Sequence, residues 1–216
     1  MKNSVFIFLV FILSSCDIQY EGNTRLLVTG EVVGRNGSPL SGVDVIAKIS
    51  QGSGFGSRKE NIGITTTDEQ GVFKMLFPKP KGEIDYTIHF LSAENYQEKR
   101  FVNIFYEDFN DYAYRMGETT LYKNDDIVNL DFSFNQINPQ NNITELNVIG
   151  MLADYLVWVN PNDEQQNYVY YSQYQVAKNQ TLVLEYIVHD FINNQNTSHS
   201  ETIVIEEQNV TYTITY

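Results

Sequence analysis

Apolar residues recur at every second position through most of this 216-residue chain. That period belongs to strands, whose side chains alternate between two faces, and not to helices. Leu26, Val28, Gly30 and Val32 share one face, and Leu27, Thr29, Glu31 and Val33 the other. Val43, Val45, Ala47 and Ile49 repeat the pattern, as do Tyr86, Ile88 and Phe90. Turn signals stand between the runs: Asn36-Gly37, Pro39, Asp68-Glu69-Gln70-Gly71 and the break from Pro78 to Gly82. Glycine tolerates the positive φ of a tight reversal, and Asp can cap its own turn. The Gly/Ser-rich stretch 51–61 reads as a loop. Short alternating runs separated by such turns predict an all-β fold.

The second half keeps the same period. Leu130, Phe132 and Phe134 alternate, Tyr168, Tyr170, Ser172, Tyr174 and Val176 share a face, and so do Leu182, Leu184, Tyr186 and Val188. In the last run Val210, Tyr212, Ile214 and Tyr216 face inward while Thr211, Thr213 and Thr215 face out. Residues 144–159 admit two readings. Leu146, Ile149, Leu152 and Leu156 fit one side of a helix, whereas Gly150 and the run Val157-Trp158-Val159 favour strand, bend and strand. The expected architecture is two consecutive β-sandwich domains, 26–123 and 124–216, the second immunoglobulin-like. The 15 Tyr and 13 Phe against a single Trp suit strands.

Several of these residues follow one another in a familiar order: Thr29-Gly30-Glu31-Val32, then Asn36-Gly37-Ser38-Pro39-Leu40-Ser41-Gly42-Val43-Asp44-Val45, then Thr67-Asp68-Glu69-Gln70-Gly71-Val72-Phe73, then Tyr86-Thr87-Ile88-His89-Phe90 and Asn95-Tyr96. The order resembles the carboxypeptidase regulatory-like domain, a small transthyretin-like β-sandwich. The resemblance covers about residues 25–123, with Thr119-Thr120-Leu121-Tyr122 as its last strand. It implies an accessory domain without catalysis. The His-x-x-Glu zinc pair of the carboxypeptidases does not occur here, since Glu94 follows His89 two places too late. The long Gly/Ser loop and the acidic, aromatic insertion 105–116 depart from the pattern.

The N-terminus follows another rule. Met1-Lys2-Asn3 carries one positive charge, Val5 to Leu13 is an unbroken apolar run, and Leu13-Ser14-Ser15-Cys16 follows. These are the parts of a secretion signal, residues 1–15. The apolar run is shorter than the ~20 residues that cross a bilayer. The chain's only cysteine, directly after Leu-Ser-Ser, resembles the lipobox of bacterial lipoproteins. The resemblance implies a diacylglyceryl thioether on Cys16, an acylated amino terminus and a place in the bacterial cell envelope, at the outer membrane. More than one acyl chain is needed because a single one binds a membrane only marginally. Residues 16–25 are polar, carry no period and read as a tether. An acylated Cys16 leaves no thiol for a disulfide, so apolar packing alone must hold the fold.

Charge narrows the partners. With 14 Lys and Arg against 27 Asp and Glu, the formal charge is −13. Nucleic acid is excluded as a partner, because binding it draws on clustered cations. The membrane contact is through lipid, not basic side chains. His89, His189 and His199 share no metal-site spacing, and no cofactor is implied. His89 sits on a strand whose alternate residues are apolar and is expected to point outward. His189-Asp190 with a distant Ser is the one pairing that hydrolytic chemistry could use, since triads assemble in space. Gly52-Ser53-Gly54-Phe55-Gly56 lacks the Lys-Ser/Thr of a phosphate loop. Asp108-Phe109-Asn110-Asp111 and Asn160-Pro161-Asn162-Asp163-Glu164 offer hard oxygens, but neither has EF-hand spacing.

Tyr170, Tyr171 and Tyr174 are the candidate partner-binding residues. Tyrosines occupy both faces of the run 168–174, so at least one ring should meet solvent, beside Gln and Asn that can hydrogen-bond a sugar or a protein. The plainer reading is that they cover the edge of a core. The function expected is that of a non-enzymatic cell-envelope lipoprotein, a binding or scaffold module for an envelope protein or a glycan. The alternatives are a hydrolase with a spatially assembled site and a structural spacer.

Overall fold

The computed structural model describes residues 18–51, 58–91, 95–160 and 172–216. These residues are all-β, with two single turns of 3-10 helix at Tyr106–Asp108 and Asn124–Asp126. The strands are β1 (Tyr20–Gly34), β2 (Asp44–Gln51), β3 (Arg58–Thr66), β4 (Val72–Pro80), β5 (Asp85–Phe90), β6 (Lys99–Ile104), β7 (Ala113–Leu121), β8 (Ile127–Asn135), β9 (Asn141–Ile149), β10 (Leu156–Trp158), β11 (Gln173–Ala177), β12 (Gln180–Asp190), β13 (Gln195–Ile205) and β14 (Val210–Thr215). They form four sheets, which pack in pairs as two sandwiches.

In the first sandwich the sheet β4-β1-β7 faces the sheet β10-β6-β5-β2-β3. The alternating positions meet between them. Leu26, Val28 and Val32 from β1, Phe73, Met75 and Phe77 from β4, Val45, Ala47 and Ile49 from β2, and Tyr86, Ile88 and Phe90 from β5 are all buried in one cluster. Turn chemistry sets the register. The Asp68 carboxylate accepts the backbone N–H of Gln70 at 3.0 Å and of Val72 at 2.8 Å. Gly71, at φ +76°, accepts the Val32 N–H through its carbonyl at 2.8 Å.

The tether is shorter than its polar sequence suggests. Ile18 packs into the first core. β1 begins at Tyr20, which pairs with Pro80 of β4, and the register then shifts before Arg25. A break in register lets polar residues of a strand edge join the ladder without repeating the period that marks a strand in sequence.

In the second sandwich β11-β8-β14 faces β13-β12-β9. Its core is Leu130, Phe132, Val176 and Ile214 against Ile143, Val148, Leu182, Leu184, Tyr186, Val188, Ile203 and Ile205. Glu201 of β13 links the two sheets: one carboxylate oxygen accepts the Tyr186 hydroxyl at 2.7 Å and the other accepts the Tyr212 hydroxyl of β14. Those bonds, from Tyr212 first and Tyr186 second, hold Glu201 below the usual carboxylate range. Bonding to Glu201, with burial, pushes Tyr212 up to about 12, and burial, then Glu201, raises Tyr186 as well. A depressed carboxylate contributes stability that is lost as pH falls through its folded pKa. A raised phenol contributes stability that is lost as pH rises through its own. Urea midpoints of wild type and Glu201→Gln are therefore expected to differ most near neutral pH. They should converge below the ordinary carboxylate range and again toward pH 12. A difference that stayed constant across that range would remove the link.

Residues 150–160 join the sandwiches. β9 ends at Ile149, the chain bends at Gly150, and β10 follows, so the segment is strand, bend and strand and not a helix. Its first part lies along the free edge of β11: Ala177 donates to the Met151 carbonyl at 3.0 Å and Ala153 to the Gln175 carbonyl at 2.7 Å. Its second part lies along β6. Arg100 donates to the Tyr155 carbonyl at 2.7 Å, Val159 donates to the Val102 carbonyl at 3.0 Å, and β10 pairs with β6 in parallel. A segment counted with the second half by sequence is thus an edge strand of the first sandwich. Tyr122, Ala153 and Ala177 make a small buried cluster beneath this strap. Arg35 Nη2 adds a bond to the Lys178 carbonyl at 2.5 Å, and Gln97 Nε2 one to Gln175 Oε1 at 2.5 Å.

Candidate functional site

The strap and the edge of β11 enclose a cleft of about 370 Å³ between the two sandwiches. Asp154, Tyr155, Leu156 and Trp158 of the strap form one wall, and Asn129 of β8 with Gln173, Tyr174 and Gln175 of β11 form the other. Alternation along β10 places Leu156 and Trp158 on one face, toward the cleft, with Val157 on the other. Tyr174 meets Phe132 edge-on at 5.7 Å and packs against the second core, so its ring bridges core and cleft. Tyr155 is 48 % exposed.

The polar groups of the cleft are held in place from behind. Asp154 Oδ1 accepts the Gln175 N–H at 2.9 Å. Burial raises the Asp154 carboxyl above its ordinary range, with the Gln175 N–H and the Lys99 ammonium opposing that shift. Burial lowers Lys99 in turn, and Asp154 opposes it. Gln173 Nε2 donates to Asp131 at 2.9 Å, and Gln97 orients the Gln175 amide. Three aromatic rings thus stand beside fixed amides and a carboxyl, in a concave site at a junction of domains, which is where small ligands commonly bind.

Of the sequence candidates, Tyr174 lines this cleft. Tyr170, Tyr171 and Cys16 lie outside the described residues. Trp158, Tyr155, Asn129, Gln173 and Gln175 carry no motif, and the sequence places Trp158 only in the run that favours a strand. The available signal was that the chain's one Trp follows a Gly bend and a Tyr within a single short run.

The histidines do other work. His89 is on the outer face of its sheet, but at 3 % exposure it is buried and does not point into solvent as expected. Its strand is central, and flanking long side chains close over it. Lys48 Nζ donates to Nδ1 at 2.8 Å, and Nε2 lies 2.9 Å from Glu98 Oε2. A donor at Nδ1 and a carboxylate at Nε2 suit the neutral tautomer with the proton on Nε2, and Arg100 Nε also approaches Nε2 at 3.3 Å. Burial, opposed by Glu98, lowers its pKa. Arg100 adds a 2.7 Å ion pair to Glu98. The network covers the outer face of the sheet. His189 Nδ1 sits 2.6 Å from Asn196 Oδ1, and the Asp190 carboxylate accepts N–H groups of Ile192 and Asn193, so the pair builds a hairpin end and not a triad. His199 lies in β13, stacked on Tyr186 at 4.7 Å. Asp108 accepts the Phe105 N–H and the Asn160 side-chain amide at 2.8 and 2.7 Å, which commits that carboxylate to closing its loop. Among the described residues no group of three His, Cys, Asp or Glu could hold a metal ion. Among them also no helix is long and apolar enough to cross a membrane.

No protein-family model matches the chain, and no curated relative does. Among solved structures, it is similar to a 9R-lipoxygenase from Cyanothece, with 15 % identity over 48 % of this chain and a TM-score of 0.32. It is also similar to the shaft pilin SpaA of Lactobacillus rhamnosus GG, with 10 % identity over 88 % of this chain and 98 % of the pilin and a TM-score of 0.34. The major pilin BcpA of Bacillus cereus has 12 % identity, 85 % and 69 % coverage and a TM-score of 0.29. The chain spans 18 % of the lipoxygenase, and 34 % of the Bacillus anthracis TIE protein, which it matches at 12 % identity over 89 % of its own length with a TM-score of 0.27. Likeness at this level carries no functional argument. The class of protein here is that of an all-β chain built as sandwiches.

Proposed function

We propose that this chain is a non-enzymatic binding module of the bacterial cell envelope, held at the outer membrane by lipid on Cys16, and that its junction cleft binds a neutral carbohydrate. The observation that carries the reading is the cleft itself, with Trp158, Tyr155 and Tyr174 around Asn129, Gln173 and Gln175. Aromatic faces cover the C–H faces of a pyranose, while planar amides and a carboxyl bond its hydroxyls. The charge of −13 disfavours anionic sugars. The resemblance of residues 25–123 to a regulatory-like accessory domain supports the absence of catalysis.

Trp158 is the only tryptophan, so its emission reports this site alone. Titration with a panel of neutral oligosaccharides is expected to shift that emission. Tyr174→Ala should weaken the best ligand at least about thirtyfold, the ~2 kcal/mol of a central aromatic contact. A panel without response would leave the spacer reading, which the strap between the sandwiches favours.

A further inference from the structure

The first sandwich ends in a second cavity, of about 450 Å³, that shares no residue with the junction cleft. Parity along β4 accounts for it. Phe73, Met75 and Phe77 point into the core, and the next position of the same parity is Lys79. A cation in that place must be paired. Lys79 Nζ donates to both oxygens of Glu21 of β1 at 3.0 Å and lies 3.8 Å from the centre of the Tyr106 ring, over its face. The apolar filling stops there. The turn from β4 to β5 and the 3-10 turn Tyr106–Asp108 wall the space beyond.

Tyr86 of β5 forms the floor. Its ring belongs to the core, 6.2 Å from Phe77 and 5.3 Å from Phe109, and the residue is 2 % exposed. Its hydroxyl makes no hydrogen bond to any described residue, and it opens into the cavity. Burial first, then Glu21, Tyr106 and Glu107, pushes the phenol up to about 12, so it stays protonated at physiological pH. A polar group this deep without a partner in its own chain is unusual, and its one open direction is the cavity.

The rim sets the charge of what enters. Glu83 and Asp85 line it from the turn and the start of β5, and Glu107 from the 3-10 turn. None of the three is bonded or ion-paired to a described residue, while Glu21 already neutralises Lys79. Three uncommitted carboxylates therefore leave the cavity negative. Among the described residues they do not converge as ligands of one metal ion, so the complementary charge must be spread over a molecule. We propose that this cavity binds a small organic cation, its ammonium or guanidinium groups on the rim carboxylates and one N–H on the Tyr86 hydroxyl oxygen. Hydrogen bonds from a charged donor are the strong kind, and Ile84 and Phe105 give an aliphatic stem an apolar wall.

The test is titration calorimetry of the full chain with 1,4-diaminobutane and with agmatine, beside 1,4-butanediol as an uncharged molecule of the same stem. Saturable binding is expected for at least one of the two cations and not for the diol. Tyr86→Phe should weaken it about tenfold, the effect of one hydrogen bond to a charged group. Its thermal midpoint should be unchanged or raised, because that hydroxyl has no bond within the fold. Asp85→Asn/Glu107→Gln, at exposed positions, should also lose about tenfold. The absence of saturable binding by both cations would overturn the proposal, as would equal affinity for the diol. So would a Tyr86→Phe protein that binds the cations as tightly as wild type, since the charge of −13 would then gather them without this cavity.

Discussion

Gly71→Ala is expected to destabilise the first sandwich by about 3 kcal/mol, and Gly37→Ala by only about 1–2 kcal/mol. The two glycines share the same backbone angle, φ +76°. At Gly37 an added Cβ meets nothing within 4 Å, so the substitution costs the left-handed strain alone. At Gly71 the same Cβ would stand 2.4 Å from the Val32 carbonyl oxygen and 3.3 Å from the Leu40 N–H. Those are backbone atoms, bonded to each other by the Leu40 N–H and the Val32 carbonyl at 2.9 Å, and they have no rotamer by which to move aside. Relief requires the Val32–Gly71 hydrogen bond to stretch, which adds ~1 kcal/mol to the strain. Urea denaturation of both variants beside wild type measures the difference. Equal losses at the two positions would mean that φ strain, and not the close approach of β1, is what demands glycine at 71.

Much of this architecture is legible in the alternating period. Val43, Val45, Ala47 and Ile49 bury together, as do Leu182, Leu184, Tyr186 and Val188, because a strand with one wet face must separate its residues by parity. Asp68 caps its own turn as its side chain allows. Parity fails where a residue is covered from the side. His89 has the parity of an outward residue, yet Lys48 of β2, Arg100 of β6 and Glu98 just before β6 close over it, and no local pattern encodes neighbours from two other strands. It fails also at edges. Trp158 alternates correctly for a strand, but only the pairing of β10 with β6, 56 residues apart at Trp158 and Val102, decides that the strand belongs to the first sandwich and faces a cleft. The candidate site is a product of that pairing, so its walls carry no motif of their own.

That placement of Trp158 gives the second large effect. Phe77→Ala is expected to lower the stability of the first sandwich by about 3–5 kcal/mol, and tryptophan emission should report the whole of it. Phe77 is 1 % exposed. Its ring lies 6.2 Å from Tyr86 and 6.5 Å, edge-on, from Phe109, so truncation empties the middle of an aromatic cluster drawn from β4, β5 and the 105–112 connection. Rings already packed on several sides cannot collapse into the space, which places the loss toward the upper part of the range. Phe77 and Trp158 are 81 positions apart, and by sequence alone they fall in different domains. Because β10 is hydrogen-bonded to β6, melting of the first core releases the strand and exposes the indole. The midpoint of the emission change should therefore fall with Phe77→Ala by the same amount as the far-ultraviolet signal of the first sandwich. An emission midpoint that stayed at the wild-type value would show the strap to be held by β11 and the second sandwich alone.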